Sequence, residues 1–371
     1  MNDLDLLESW DFELPSALIA SQPLAERGDS RLLHLAADGE RHDRDFAELL
    51  GLLRPEDVLV FNDTKVLPAR LEAQRATGGR VEVLVVGGDH EGDWSTSSGH
   101  LTAMLRSNRR VKPEETIYLR DNEGEAELIW ARQLEDGLVQ LRFEGELFAL
   151  LHRFGRLPLP PYIEEQRRAR GEAEVQEADR ERYQSVLAAV EGAIAAPTAS
   201  LHFDKAFLAA AEARGVTVAH VTLHVGIGTF RPVKTSRLSD HAMHAELCEL
   251  REEVAETLAA ARARGGRVIA VGTTVVRTLE HFATGDGGYR TGREATRMFI
   301  RPGYAFGGTD ALLTNFHLPK STLLALVAAF AGYDATMAAY RHAVAQGYRF
   351  FSYGDAMFLE ASRPVALFSA T

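Results

Sequence analysis

The strongest constraint on the fold is a change of hydrophobic periodicity that starts near residue 67 and lasts to about residue 156. On both sides of this stretch, strand patterns such as VLVFN (58–62) and RVIAVG (267–272) alternate with helix patterns. Inside it, turn-forming residues separate short strand-like runs at 81–88, 100–107, 115–119, 125–132 and 137–143. Alternating strands and helices are typical of an α/β sheet, whereas evenly spaced short strands are typical of a small antiparallel barrel.

This pattern predicts two structural units in one chain. We expect an α/β (α+β) protein in which residues 1–66 and 157–371 form a large, discontinuous α/β catalytic domain. Residues 67–156 are expected to form an inserted β-barrel domain. The charged stretch 167–184 that follows is expected to be helical or mobile, and YRFFSYGDAMFLE (348–360) is expected to be the last strand.

Composition excludes several classes of protein. Hydrophobic residues make up 46% of the chain and charged residues 25%, which excludes a mainly disordered or membrane-embedded protein. The single cysteine, Cys248, excludes an intramolecular disulfide bond. The chain starts without the basic and apolar segments of a secretion signal, so we expect a cytoplasmic protein without a membrane partner.

The charge distribution leaves two interpretations open. A formal net charge of −12 argues against a protein that coats nucleic acid indiscriminately. Basic clusters nevertheless occur at 106–112 and at 152–170, the second of which includes Arg167. These clusters are either solvated surface charges or a local cationic face for an anionic partner.

Polar residues that could carry chemistry follow the predicted strands. Thr273 and Thr274 lie between a strand and a helix, where free backbone N–H groups can bind a carboxylate or a phosphate. The stretch 314–322 (TNFHLPKST) adds further donors and His317, and a histidine exchanges protons near neutral pH. Each feature could equally be a plain helix cap.

Other motifs are absent or weak. His241, His244 and Cys248 lack the spacing of a zinc site, and we expect no metal. The chain has no dinucleotide fingerprint, no Walker A motif and no GxSxG turn, which disfavours an ATPase or a serine hydrolase. Residue patterns alone therefore indicate an α/β enzyme with a β insert, a histidine-rich site and an anionic or nucleotide ligand.

Eight segments resemble one known family, in the family's order and over nearly the whole chain. They are FNDTKVLPARL (61–71), LPLPPYI (157–163), APTASLHF (196–203), VTLHVGIGTFRPV (221–233), HAMHAE (241–246), VIAVGTTVVRTLE (268–280), LLTNFHLPKSTLLALVAAFAG (312–332) and YRFFSYGDAM (348–357). By these segments the chain resembles the S-adenosylmethionine:tRNA ribosyltransferase-isomerases of queuosine biosynthesis. It departs from the family pattern at Ser200, where a glycine is usual, and at Leu247, where an aromatic residue is usual.

The resemblance implies a fold and a reaction. The fold is a large α/β barrel-like domain interrupted by a small β-barrel. The reaction transfers the ribosyl part of S-adenosylmethionine to 7-aminomethyl-7-deazaguanine at the wobble position of tRNA and isomerises it, giving epoxyqueuosine-tRNA, adenine and methionine. S-adenosylmethionine is then a co-substrate, no prosthetic group is implied, and we expect a monomer.

The matching segments also indicate site residues. The reaction needs a base for the proton beside the sulfonium and a proton for the departing adenine. We expect His202, His224 or His317 to be this general base or acid, with Asp63 or Asp355 orienting the ring or stabilising its charged form. Substrate-binding residues are expected at Asn62, Thr64, Arg70, Arg231, Thr273, Thr274, Arg277, Asn315, Lys320, Ser321, Thr322, Ser352 and Tyr353. Residues that bind tRNA are expected at Arg106, Arg109, Arg110, Arg153, Arg156 and Phe351.

Two other functions remain open at this point. A non-catalytic tRNA- or nucleotide-binding protein would be free to lose His202, His224, Asp63 and Asp355, yet all four are present. An S-adenosylmethionine-dependent enzyme with another acceptor would keep the S-adenosylmethionine site and differ from the family in the sequence of the β insert. The β insert is where the resemblance is loosest. The sequence also leaves open which residue is the base and which tRNAs are preferred.

Overall fold

The computed structural model describes residues 3–90, 92, 94, 99–230 and 233–361. The strands in these residues are β1 (Arg31–Leu35), β2 (Arg41–Asp45), β3 (Val58–Asn62), β4 (Thr64–Val66), β5 (Arg70–Arg75), β6 (Arg80–Gly87), β7 (His100–Ser107), β8 (Thr116–Asp121), β9 (Gly124–Gln133), β10 (Val139–Arg142), β11 (Gly155–Arg156), β12 (Val190–Ala193), β13 (Thr217–Leu223), β14 (Glu246–Leu250), β15 (Val268–Val271), β16 (Gly292–Thr296), β17 (Ala311–Asn315) and β18 (Ala356–Glu360). The α-helices are α1 (Leu49–Leu52), α2 (Leu147–Phe154), α3 (Pro161–Ala169), α4 (Asp179–Arg182), α5 (Lys205–Glu212), α6 (Glu252–Ala263), α7 (Thr273–Phe282), α8 (Thr322–Ala331) and α9 (Tyr333–Ala345).

The large sheet is mixed, with a parallel centre. Its strands run in the order β16-β14-β13-β3-β15-β17-β18-β1-β2, and β13, β3, β15 and β17 are parallel neighbours. Every residue of β3, β15 and β17 is buried, as parallel strands with helices on both faces require. Val58 and Val60 of β3 pack in the core with α6 to α9, whereas Leu59 and Phe61 face the core with α1 and α5.

The inserted strands form a separate antiparallel barrel. They pair in the order β5-β6-β7-β10-β9-β8, and β8 closes the barrel by pairing with the end of β5. The alternating apolar residues of these strands fill a core of their own. The predicted fold class, α/β with an inserted antiparallel β-barrel, is confirmed. The large domain, expected to be barrel-like, is a mixed sheet whose edge strands, β16 and β2, do not pair with each other in the described residues.

The charged stretch 167–184 is folded around a buried ion pair. Arg167 on α3 is fully buried and donates to both carboxylate oxygens of Asp179 on α4, at 2.6 and 2.9 Å. Its other donors reach the carbonyl oxygens of Ser21 and Glu174. The sequence-based placement of Arg167 in a basic surface cluster is therefore wrong, because this guanidinium ties the segment together from inside.

The expected last strand is shorter than predicted. Only Ala356–Glu360 is a strand, and residues 349–354 form a turn in which Phe351 has a φ of 75°. The turn is tight, since a Cβ atom at Gly354 would lie 2.6 Å from the carbonyl oxygen of Arg349. The turn brings Phe351 and Ser352 to the carboxyl edge of the large sheet.

Helix length bears on membrane insertion. In the part of the chain that the structure describes, no single helix is long and apolar enough to cross a membrane. The consecutive helices α8 and α9 meet the length and composition criteria only as a pair, and they are bent by 117°.

The Arg167–Asp179 pair supports a stability prediction. Arg167→Met should lower the free energy of unfolding by about 3–5 kcal/mol, because the Asp179 charge stays buried without its partner. Urea denaturation followed by circular dichroism measures this loss. Arg168→Met, which removes a half-exposed ion pair with Glu174, should leave the urea midpoint nearly unchanged. Equal midpoints for the two variants would contradict the assignment.

Candidate active site

Polar residues gather at the carboxyl edge of the large sheet, where β3, β13, β15 and β17 all end. Asn62 is the last residue of β3. Its side-chain amide donates to the carbonyl oxygen of Leu223 at the end of β13 (2.9 Å) and to Thr274 Oγ1 at the start of α7 (3.2 Å). Asn62, which was predicted to bind substrate, therefore holds the end of β13 and the start of α7 against the end of β3. The carboxyl edge of parallel strands is where α/β sheets usually bind their ligands.

An open cleft lies at this edge. Its polar lining comes from Thr198, Thr273, Thr274, Thr314, Asn315, His317 and Ser352, and its apolar lining includes Pro160, Val225, Leu323 and Phe351. Tyr183 also reaches it. Among the described residues that line the cleft, none is a carboxylate, so a ligand here meets hydroxyl, amide and imidazole groups.

Asn315 connects the segments around the cleft. Its Nδ2 donates to His202 Nε2 (3.1 Å) and to the carbonyl oxygen of Phe351 (3.2 Å). Its Oδ1 accepts a hydrogen bond from the Thr198 hydroxyl (3.1 Å). Because Asn315 is 2% exposed, the protein rather than water makes these bonds. The end of β17, the 3₁₀ turn Thr198–His202 and the turn at Phe351 are thus held in one arrangement.

His202 is held neutral by its surroundings. Since Asn315 donates to Nε2, the proton of the ring lies on Nδ1, which donates to Ser30 Oγ at 2.8 Å. Phe46 stacks on the ring with the centroids 5.2 Å apart. Burial lowers the pKa of His202 to about 3. Both nitrogens are occupied, so His202 supports Asn315 rather than exchanging protons with a ligand.

His317 is the histidine that lines the cleft. Its Nε2 lies 3.1 Å from Thr314 Oγ1, and its backbone N–H donates to the Tyr340 hydroxyl. Burial lowers the pKa of His317 to about 3, so the ring is neutral near pH 7. No described residue hydrogen-bonds to Nδ1, which leaves one ring nitrogen for a ligand.

His224 lies apart from the cleft lining. Its Nδ1 is 2.8 Å from Thr64 Oγ1 on β4, so Thr64 contacts this ring rather than the cleft. Gly192 on β12 packs against the ring so closely that a Cβ atom there would lie 2.6 Å away. Burial lowers the pKa of His224 to about 4.

Neither predicted carboxylate contacts any of these three rings in the described structure. Asp355 accepts the backbone N–H groups of Arg31 (3.0 Å) and Arg349 (2.8 Å). Asp63 accepts the Thr222 hydroxyl at 2.6 Å, and the Arg251 guanidinium lies 3.8 Å from it. The expectation that Asp63 or Asp355 orients a catalytic imidazole is therefore corrected, because both carboxylates are committed elsewhere and hydroxyl and amide groups contact the rings.

The start of α7 offers free donors to the cleft. Gly272, which precedes the helix, has a φ of 100°, a conformation that favours glycine, and it provides no side-chain cap. The backbone N–H groups of Thr273 and Thr274 have no partner in the described residues. A helix N-terminus with free N–H groups binds an anionic or strongly polar ligand group.

The residues of the 349–354 turn face different surroundings. Ser352 lines the cleft, and its backbone N–H donates to the Tyr162 hydroxyl at 3.1 Å. Tyr353 points away from the cleft lining and donates to Asp179 Oδ1 at 3.1 Å. The predicted site residue Tyr353 therefore joins the turn to the Arg167–Asp179 pair.

The predicted site residues before α8 are used locally. The Ser321 hydroxyl caps the helix by accepting the N–H of Leu324 at 3.2 Å, and Thr322 is the first helical residue. Lys320 pairs with Glu8 and Asp11, each at 3.0 Å. None of these three predicted residues belongs to the described lining of the cleft.

Two predicted arginines, Arg70 and Arg277, also lie outside the described lining of the cleft. Arg70 on β5 pairs with Glu164 on α3 and so joins the barrel to the large domain. Arg277 on α7 pairs with Glu246, and its Nε donates to the carbonyl oxygen of Met298. Arg231 lies outside the described residues.

The predicted tRNA-binding arginines form two groups. Arg153 and Arg156 line a groove on the barrel together with Arg80, Arg120 and Arg180. Arg106, Arg109 and Arg110 are exposed on and after β7 and line neither this groove nor the cleft. Phe351, the predicted stacking residue, lines the cleft.

Sequence analysis missed several residues of the cleft. Thr198 and Thr314 lie within the matching segments APTASLHF and LLTNFHLPKST, and that position was the available signal. Tyr183 lies in the charged stretch, where no pattern marks it. Its place in the cleft follows from how 167–184 folds, which is a long-range property.

Metal binding finds no support in the described residues. No group of three or more His, Cys, Asp and Glu side chains there is placed to hold a metal ion. Cys248 is buried, and burial raises the pKa of its thiol to about 12. Such a thiol stays protonated near pH 7 and is a poor metal ligand or nucleophile.

The fold and the cleft define a class of protein, an α/β enzyme that carries an antiparallel barrel and binds its ligand at the carboxyl edge of parallel strands. The sequence model of the family described as "Queuosine biosynthesis protein" matches residues 7–359. A relative from Herminiimonas arsenicoxydans, named S-adenosylmethionine:tRNA ribosyltransferase-isomerase, is 49% identical over 358 residues, which are 96% of this chain and 99% of the relative. The crystal structure of an S-adenosylmethionine tRNA ribosyltransferase from Thermotoga maritima is 32% identical with a TM-score of 0.52, covering 95% of this chain and 99% of that one.

The chain belongs to this queuosine biosynthesis family. The family to which the eight segments pointed is thereby confirmed.

The neutral state of His202 predicts a pH dependence of stability. Below a pH of about 6.5 the unfolded chain protonates this histidine, whereas the folded ring, with its pKa of about 3, stays neutral. The free energy of unfolding should therefore decrease as the pH is lowered below about 6.5, and this residue should contribute up to about 1.4 kcal/mol per pH unit. Urea denaturation between about pH 6.5 and pH 4.5 should show a shallower fall for His202→Gln than for wild type.

His342→Gln is the matched control. His342 forms an exposed ion pair with Asp43 at 2.9 Å. His342→Gln keeps the buried His202, so its stability should decrease on acidification as steeply as that of wild type. If His202→Gln and wild type lose the same free energy of unfolding per pH unit, the buried neutral ring does not control the pH dependence of stability.

Proposed function

We propose that this chain transfers the ribosyl part of S-adenosylmethionine to 7-aminomethyl-7-deazaguanine at the wobble position of tRNA and isomerises it, giving epoxyqueuosine-tRNA. Adenine and methionine leave. The observation that carries the proposal is the cleft at the carboxyl edge of β15 and β17, with a neutral imidazole and free helix N–H groups, in a chain of the queuosine biosynthesis family. The name of the 49% identical relative supports the same reaction.

The lining of the cleft suits a sulfonium substrate. Hydroxyl and amide groups can hydrogen-bond to a ribose and a purine, and the apolar walls exclude water from the reacting centre. None of the described lining residues is a lysine or an arginine, so no fixed positive charge repels the sulfonium. The N–H groups of Thr273 and Thr274 are placed to hold the carboxylate of the methionine part.

His317 is the general base in this proposal. In this role the ring carries its hydrogen on Nε2, which donates to Thr314 Oγ1, and the lone pair of Nδ1 accepts the proton from the carbon beside the sulfonium. The pKa of about 3 makes the ring a weak base, and it makes the imidazolium that forms a strong acid, which passes the proton to the departing adenine. The amine of the RNA base attacks in its unprotonated form.

The RNA base needs a surface on which to stack. Phe351 lines the cleft, and its ring centroid lies 4.5 Å from that of Tyr162. Bases splayed out of single-stranded RNA stack on aromatic rings of this kind. We therefore propose Phe351 as the platform for the modified base.

The groove on the barrel is the proposed contact for the tRNA backbone. Arg153 and Arg156 line it, and they pair there with Asp121 and Glu72. The described lining of the groove contains five arginines and only these two acidic residues. This surplus of positive charge contrasts with the net charge of −12. Cationic side chains neutralise RNA phosphates and release counterions.

The proposal includes the organisation of the protein. Residues 67–156 act as an inserted domain, which is supported by described strands β5 to β11 pairing only with one another. The chain works as a cytoplasmic monomer with S-adenosylmethionine as co-substrate and without a prosthetic group.

The direct test incubates the protein with S-adenosylmethionine and tRNA that carries 7-aminomethyl-7-deazaguanine. Released adenine and epoxyqueuosine-tRNA are then measured by chromatography and mass spectrometry. Adenine release that depends on this tRNA, with the modified nucleoside as product, is the expected result. Adenine release without a modified tRNA would contradict the acceptor, and no release at all would contradict the reaction.

His317→Gln tests the base. Glutamine keeps a hydrogen-bonding group but cannot transfer the proton, so kcat for adenine release should fall about 10²–10⁴-fold with little change in the KM for either substrate. His281→Gln, which loses a hydrogen bond to Glu294 and an edge-on ring contact with Phe282, both outside the cleft lining, is the control and should keep wild-type kcat. Near-normal turnover in His317→Gln would rule this residue out as the base.

Arg153→Gln combined with Arg156→Gln tests the barrel groove. The pair should weaken tRNA binding and reduce the slope of log K against log salt by about two, since each arginine neutralises about one phosphate. Fluorescence anisotropy with labelled tRNA at several salt concentrations measures this slope. Affinity for S-adenosylmethionine should not change, and an unchanged slope would mean that these arginines are ordinary surface charges.

A further inference from the structure

A second, small cavity adjoins the cleft. We call it the arginine cavity, because Arg27 and Arg182 line it together with Ser30, His202 and Ser352. Ser352 also lines the cleft, and His202 is bonded to the cleft residue Asn315. The arginine cavity therefore lies next to the cleft, with Ser352 on the boundary between them.

The two arginines of this cavity have no carboxylate partner in the described residues. Arg27 donates to the carbonyl oxygens of Leu201 (3.2 Å), Glu181 (2.8 Å) and Gln184 (2.9 Å). Arg182 donates to the carbonyl oxygen of Ala25 at 2.6 Å. Their charges are thus held in place by neutral groups and remain uncompensated by an ion pair.

Buried donor atoms remain unused around the same cavity. Arg182 Nε is buried and has no hydrogen-bond partner. Arg349, whose charge acts on His202 at the wall of the cavity, donates to the carbonyl oxygen of Gln22 but leaves its buried Nη1 unpaired. Unpaired buried donors cost free energy unless a ligand satisfies them.

The local charge balance is positive. Glu26 is the carboxylate in the described lining, and Glu181, Asp204 and Asp355 act on the arginines only from a longer range. Burial lowers the pKa of Arg27, and the like charge of Arg182 lowers it further. An anion between the guanidinium groups would relieve this repulsion.

We propose that the arginine cavity binds a backbone phosphate of the RNA substrate, next to the nucleotide whose base enters the cleft. This inference rests on the proposed function, because it assumes RNA in the cleft. Guanidinium groups bind phosphate oxygens with paired, directed hydrogen bonds.

The neighbouring surface favours RNA over the other available anion, the carboxylate of S-adenosylmethionine. Arg180 and Arg182 lie two residues apart on α4, and Arg180 lines the groove on the barrel. Arg180 and Arg182 lie on different sides of this short helix, one lining the groove and the other the arginine cavity, so α4 supplies a cation to each. The carboxylate of the small substrate already has the free N–H groups at the start of α7.

Arg182→Gln tests the cavity, because Arg182 makes one carbonyl contact whereas Arg27 makes three. Binding of tRNA that carries 7-aminomethyl-7-deazaguanine is measured by anisotropy at several salt concentrations, and S-adenosylmethionine binding by calorimetry. The dissociation constant for tRNA should rise about tenfold, and the salt slope should fall by about one. Binding of S-adenosylmethionine should stay at the wild-type level.

Two variants control for folding and for charge. Arg182→Lys keeps the charge and should retain the wild-type salt slope. Arg264→Gln removes an exposed arginine paired with Glu56, near the amino ends of β3 and β15, and should bind tRNA as wild type does. Thermal unfolding shows whether Arg182→Gln is folded at the temperature of the binding assay.

Each other outcome overturns the inference. An unchanged salt slope in a folded Arg182→Gln protein would make Arg182 a structural residue. Loss of S-adenosylmethionine binding with normal tRNA binding would assign the cavity to the carboxylate instead. If the wild-type protein makes epoxyqueuosine-tRNA and the Arg182→Gln protein binds tRNA normally, this inference is wrong and the proposed function stands. A wild-type protein that does not bind the tRNA would overturn the proposed function as well.

Discussion

The architecture of the cleft depends on one buried amide. Asn315 ends β17 and uses both donors and its acceptor on groups far away in sequence: the His202 ring, the Phe351 carbonyl oxygen and the Thr198 hydroxyl. Two of these bonds fix the 3₁₀ turn Thr198–His202, and the third fixes the turn at Phe351, against the edge of the sheet. Because an amide supplies two donors and an acceptor in one plane, a carboxylate or an apolar residue at this position could not make all three bonds.

The same network sets the electrostatics of the site. Asn315 donates to His202 and so requires a neutral acceptor there, and burial keeps both His202 and His317 unprotonated. The cleft is consequently polar but uncharged, whereas the nearby arginine cavity and the groove on the barrel carry unbalanced positive charge. This division matches a reaction between a sulfonium, which needs a site free of cations, and an RNA, which needs cations at its backbone.

Local patterns predicted the parts of this structure that depend on local physics. The apolar runs of β3, β15 and β17 and the short strands of the barrel are visible in the periodicity, and polar residues after strand ends marked Thr273 and His317. The burial of Arg167 and the roles of His202 and Asp355 were not predictable in this way. Each depends on contacts between segments more than ten residues apart, such as Asp355 with the N–H of Arg31, and a charged side chain looks the same in sequence whether it faces water or a partner.

The central claim is that S-adenosylmethionine binds in the cleft organised by Asn315. A crystal structure of the protein with bound S-adenosylmethionine tests this claim most directly. The account predicts the methionine carboxylate at the N–H groups of Thr273 and Thr274, and the ribose and sulfonium beside His317. A ligand bound in the groove on the barrel or in the arginine cavity, with the cleft empty, would contradict it.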